Sequence, residues 1–118
     1  EIDRSAVLRY KQKRLKAAGQ DSNSVLCEGN YLELDWESML DAEKPTYIIW
    51  EGNTMYLWRC DVDAMLKRMR CFFKTFWVSF DFYDVATIKK QTGVPELTNI
   101  ALNFERMGAP WLTGFDDV

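Results

Sequence analysis

Apolar positions in this chain recur with two periods, and the changes from one to the other mark the expected elements. Val62, Met65, Leu66, Met69, Phe72, Phe73 and Phe76 fall at the i, i+3, i+4, i+7 spacing of one buried helical stripe. Asp61 is placed to cap that helix, and Asp63 to favour the positive end of its dipole. From Trp77 to Phe82 the period drops to two, which reads as a strand. Asp84 then opens a helix through Gln91 that Gly93 ends. Pro95 suits the first turn of another, with Leu97, Ile100, Ala101, Phe104 and Met107 as its stripe and Gly108 as its stop. The tail from Pro110 reads as a loop whose Trp111 tucks into the core.

The first half of the chain is patterned less strongly. Residues 4–18 hold good helix formers up to Gly19, but Val7, Leu8, Leu15 and Ala18 make only a thin apolar stripe. Residues 20–24 read as a linker. A Glu-Gly-Asn turn then occurs twice, at Glu28-Gly29-Asn30 and Glu51-Gly52-Asn53, each time between short apolar runs. A Gly-Asn pair in that setting predicts a two-residue hairpin loop. The first hairpin, over 24–35, would put Val25, Cys27, Leu32 and Leu34 on one face and Leu26, Glu28, Tyr31 and Glu33 on the other. Residues 35–42 would follow as a short helical turn.

The second hairpin, over 46–59, would be apolar on both faces: Ile48, Trp50, Met55 and Leu57 on one, Tyr47, Ile49, Tyr56 and Trp58 on the other. It is expected to be central and covered, because monomers seldom expose large apolar patches. The element order predicts an α+β fold, with an antiparallel sheet of about five strands around the two hairpins and helices packed mainly on one face. The organisation expected is a basic N-terminal helix, residues 1–20, and a single α+β domain, residues 21–118.

Composition narrows the classes of function. At 118 residues, 47% hydrophobic and 14% aromatic, the chain can build a core. No apolar run approaches the roughly 20 residues of a membrane span. The chain opens on Glu1 rather than Met, which reads as a trimmed or processed form or an excised domain. Three cysteines without paired spacing fit a reducing, cytoplasmic setting, with Cys27, Cys60 and Cys71 as small buried hydrophobes. There is no histidine, which removes Ser-His-Asp and Cys-His pairs and His-bearing zinc sites. With no glycine-rich phosphate loop and no metal-ligand spacing, the expectation is no enzyme, no cofactor and no metal. Glu33, Asp35 and Glu37 are the remaining acid–base candidates, and on a solvent face they need no catalytic explanation.

Charge points to a partner. Residues 1–20 carry six bases against two acids, residues 21–66 two bases against ten acids, and the whole chain −3. An acidic face of this kind speeds encounter with a basic partner and excludes wrong ones. The reading is a small non-catalytic protein-binding module, an inhibitor of the immunity type that would neutralise a basic, nuclease-type toxin. Its contacts would be Glu28, Tyr31, Glu33, Asp35, Glu37, Glu51 and Tyr56, with the two tyrosines as anchors. The alternative is a nucleic-acid-associated protein that uses Arg9, Lys13 and Arg14 of the basic helix. A helix-turn-helix-like pair around Gly93 could serve instead, although its second helix would expose Glu96 and Glu105 beside Asn99, Asn103 and Arg106.

Overall fold

Strands pair in parallel throughout the described residues, and each pair is joined by a helix. The computed structural model describes residues 1–20 and 23–116. It contains two compact units, Glu1–Leu40 and Asp41–Val118.

The first unit runs β1 (Ile2–Asp3), α1 (Ser5–Ala17), β2 (Cys27–Glu28) and a 3-10 turn (Trp36–Met39). β1 and β2 lie parallel, with Ile2 opposite Cys27 and Asp3 opposite Glu28. Cys27 N–H donates to the Glu1 carbonyl at 2.8 Å, and Gly29 N–H to the Asp3 carbonyl at 3.1 Å. As the thin stripe implies, Leu8 is the one side chain that α1 buries. Gly19, at φ 68°, ends the helix in the left-handed region that glycine enters freely. Gly19 and Gln20 N–H then close back onto the Lys16 and Leu15 carbonyls at 3.1 and 3.0 Å, a Schellman stop.

The second unit runs β3 (Thr46–Trp50), a 3-10 turn (Thr54–Tyr56), α2 (Arg59–Phe72), β4 (Phe76–Phe80), α3 (Val85–Ile88) and α4 (Pro95–Arg106). β3 and β4 are parallel from Thr46 opposite Phe76 to Trp50 opposite Phe80. The predicted stripe of α2 supplies the core, with Val62, Met65, Met69 and the following Phe73 buried together with Trp50. The helix begins two residues before Asp61, and Trp58 rather than an aspartate precedes it. One face of the strand pair (Ile48, Trp50, Val78, Phe80) is buried or half-buried. The other is open: Tyr47, Ile49 and Trp77 are 63, 68 and 57% exposed. In α4, Ala101 is buried, but Ile100 and Met107 of the expected stripe lie outside at 43 and 69%.

The predicted five-stranded antiparallel sheet is therefore not the architecture, although the mixture of helices and strands is. Neither Glu-Gly-Asn turn makes a hairpin. At the first, the Asn30 side chain accepts Leu32 N–H at 3.1 Å, and its carbonyl accepts Leu34 N–H at 2.8 Å. Asparagine thereby draws residues 31–34 into a helical turn instead of a returning strand. At the second, the chain leaves β3 through Gly52 (φ 67°) and enters a 3-10 turn in which Tyr56 N–H meets the Asn53 carbonyl at 3.0 Å. The true partner of β3 lies beyond α2, as parallel pairing requires a long crossover. The aromatic face expected to be covered is open, and Trp58, which was expected on that face, is 62% exposed ahead of α2. Cys60 and Cys71 are also exposed rather than buried, and Cys27 is intermediate.

Candidate functional site

Every strand among the described residues runs into an acid at its carboxyl end. In the first unit Asp3 closes β1 and Glu28 closes β2, at opposed register positions. In the second, Glu51 follows the last residue of β3 and Asp81 the last residue of β4. Parallel strands with helical crossovers bind ligands in the crevice outside these ends, because the chain turns there into loops free to carry function.

Two of the four carboxylates are fixed by the backbone. Asp3 Oδ1 accepts Arg4 N–H at 2.7 Å. Asp81 Oδ1 accepts Gly52 N–H at 2.7 Å, which ties the end of β4 to the turn after β3. The buried Thr54 adds a second tie, its hydroxyl donating to the Asp81 carbonyl. Glu28 and Glu51 are exposed, and neither carboxylate holds an ion pair among the described residues.

In the second unit the C-terminal tail crosses this same edge. Leu112 N–H donates to the Met55 carbonyl at 2.6 Å, and Phe115 N–H to the Tyr83 carbonyl at 2.9 Å. Thr113 Oγ1 donates to the Leu57 carbonyl at 2.6 Å. Trp111 stacks on Tyr83 at 4.2 Å between ring centroids, and the Arg59 guanidinium lies 4.3 Å over the Phe115 ring. Asp84 caps α3, accepting Thr87 N–H at 2.6 Å. The Thr87 backbone and hydroxyl both stabilise the ionised form and hold the Asp84 carboxyl below its ordinary pKa.

The residues singled out from the sequence are divided by this arrangement. Glu28, Tyr31, Glu33, Asp35 and Glu37 belong to the first unit, Glu51 and Tyr56 to the second. Glu33 accepts from Asn30 Nδ2 at 3.1 Å within its own turn, and Asp35 and Glu37 lie at the short 3-10 turn. Tyr56 is half-buried, its ring 6.2 Å from Phe104. The hairpins that were to gather these residues on one face are not formed. Arg9, Lys13 and Arg14 are all exposed on α1. Around Gly93 (φ 72°), α3 is a single turn, and α4 exposes Glu96, Asn99, Asn103, Glu105 and Arg106. No cluster able to hold a metal occurs among the described residues. No helix among them is long and apolar enough to cross a membrane.

Asp3 and Asp81 were not singled out from the sequence. Asp81 directly follows the largely aromatic run Phe76–Phe80 and Asp3 follows Ile2 alone, and their shared position becomes visible only once the strands are known to be parallel.

The described residues thus form two strand–helix–strand units, each with acids at the carboxyl edge of its strand pair. A family model for the leucine carboxyl methyltransferases matches residues 1–70. That is more than half of the 118 residues, and the chain belongs to this family. No curated protein and no solved structure matches it.

The family corrects the expectation of a chain unrelated to enzymes. That expectation leaned on the missing histidine, which matters where a nucleophile must first lose a proton. A carboxyl group is already ionised at neutral pH. Its methylation needs binding and alignment more than an imidazole base.

Proposed function

We propose that this chain takes part in transferring a methyl group to a carboxylate, with the carboxyl end of the β1–β2 pair in the first unit as the donor-binding edge. The family match over residues 1–70 carries this reading. The acids at the strand ends support it, since carboxylates accept hydrogen bonds from hydroxyl and amino groups and favour a cationic ligand. A sulfonium donor such as S-adenosylmethionine fits that chemistry, and when bound it would supply an electrophilic methyl carbon to a carboxylate oxygen, the S–CH3 bond breaking to release a neutral thioether, with no general base required.

The chain's own residues would bind and orient. Glu28, exposed and without an ion pair among the described residues, offers acceptors. Asp3 is held in place by the Arg4 backbone N–H at 2.7 Å, so little side-chain entropy is lost when a ligand meets its carboxylate.

The test is incubation of the full chain with methyl-labelled S-adenosylmethionine and a peptide ending in leucine. A methyl ester releases its label as volatile methanol in mild alkali, whereas methylated nitrogen does not. Alkali-labile label on the free-acid peptide, absent from the same peptide amidated at its C-terminus, is the expected result. Label that resists alkali, or no incorporation at all, would overturn the reading.

A further inference from the structure

The amino-terminal edge of the β1–β2 pair has the opposite chemistry to its carboxyl edge. A groove of about 430 Å³ lies there, bounded by Glu1 ahead of β1, by Ser24 and Leu26 ahead of β2, and by one side of α1. Four cations line it: Arg9, Lys11, Lys13 and Lys16. Lys11 is neutralised by Glu1, whose carboxylate it meets at 2.6 Å. Arg9, Lys13 and Lys16 are exposed and hold no ion pair among the described residues.

Helix stability does not explain this arrangement. Cations in the last turn complement the helix dipole, which accounts for Arg14 and Lys16. Arg9 and Lys13 lie earlier, where the dipole contributes little. Spaced i, i+4, i+7, these three cations, without an ion pair among the described residues, form one stripe that rises about 10 Å along the axis. Several uncompensated positive charges around one concavity raise the local concentration of anions. Leu15 and Leu26 add an apolar part to the same lining. The volume falls within the roughly 300–1,000 Å³ of small-ligand sites.

We propose that this groove binds a nucleotide-class anion, its oligophosphate on Arg9, Lys13 and Lys16 and its organic body against Leu15 and Leu26. Arginine grips phosphate oxygens in pairs and lysine acts as a mobile point charge, so a chain of linked phosphates satisfies a stripe of both. Three spaced cations suit such a ligand better than they suit a single carboxylate. The site is independent of the methyl-transfer reading, because it lies at the other end of the strands and uses none of their terminal acids.

The test is fluorescence anisotropy of methylanthraniloyl-labelled ATP titrated with the full chain at 50 and 200 mM salt. Saturable binding is expected, weaker at the higher salt and displaced by unlabelled ATP. Lys13→Glu and Arg9→Glu should each weaken it tenfold or more. Arg14→Glu makes the same charge change on the same helix outside the groove lining, and should cost less than threefold. Circular dichroism of each variant should match the parent, since the three side chains are exposed. No saturation at millimolar protein, or an Arg14→Glu loss equal to that of Lys13→Glu, would sink the site. Inorganic triphosphate displacing the probe as well as ATP does would remove the organic body from the assignment. Tighter displacement by an RNA oligonucleotide would replace the nucleotide with nucleic acid.

Discussion

Thr54 offers a direct test of how the carboxyl ends of β3 and β4 are held together. Its side chain is fully buried, and its hydroxyl donates to the Asp81 carbonyl across the gap between the two strands. Thr54→Val keeps the volume, so no cavity opens and the change isolates the hydrogen bond. Losing such a bond while its acceptor stays in place costs about 1–3 kcal/mol. The lower half of that range applies, because Asp81 is an exposed residue and water can reach its neighbourhood. Thr54→Ser keeps the hydroxyl and removes one methyl, about 1 kcal/mol of burial and packing. For a chain of this size, 1–2 kcal/mol corresponds to a fall in Tm of roughly 3–10 °C. Urea denaturation of the parent and both variants would measure this, with equal m-values as evidence that only the native state changed. A Thr54→Val variant as stable as the parent would show that the bond contributes nothing. A Thr54→Ser variant less stable than Thr54→Val would show that the methyl, not the hydroxyl, holds the strand ends.

Three further outcomes follow from the same edge. Gly52 has φ +67° and open space where a Cβ would sit, so Gly52→Ala should cost only the backbone term of about 1–2 kcal/mol; Gly52→Asn, which tolerates that conformation better, should recover part of it in the same urea titration. Gly114→Ala should also destabilise, by about 1–3 kcal/mol, because its Cβ would stand 2.7 Å from the Asp84 carbonyl oxygen and 2.7 Å from Ile88 Cγ1; equal stability would mean that the tail shifts freely. The Asp84 carboxyl is held below its ordinary pKa by the Thr87 backbone and hydroxyl, so its contribution is present above the ordinary aspartate range and is lost as pH falls through the folded pKa. The Tm difference between the parent and Asp84→Ala should therefore shrink from pH 7 into the acid range, and a difference independent of pH would contradict the cap.

Parallel strand pairs ordinarily have both faces covered, yet Tyr47, Ile49 and Trp77 leave one face of β3–β4 in solvent. That surface belongs to the described residues as they stand, and it is where aromatic side chains meet water. Substituting Tyr47 or Trp77 by Ser should cost little stability, unlike Val62→Ala in the buried stripe, which should cost about 2 kcal/mol.

Local pattern determined much of this protein. The stripe from Val62 to Phe73, the strand before Asp81, the Pro95 helix and the stop at Gly108 (φ 78°) all stand near where the periods put them. The reason is that period and punctuation are properties of a segment: a 3.6-residue repeat needs only its own helix and one surface to bury against. Strand partnership is a relation between distant segments, and there the reading failed. The near-continuous apolar run Tyr47-Ile48-Ile49-Trp50, followed by a full helix before the next strand, was the available sign of parallel pairing. The Gly52-Asn53 turn outweighed it. Only the tertiary structure set β3 beside β4 and β1 beside β2, and with that pairing brought Asp3, Glu28, Glu51 and Asp81 to strand ends of the same kind. Pairing across a crossover sets residues such as Trp50 and Phe80 opposite one another, and no local pattern of apolar positions records which residue waits on the far side.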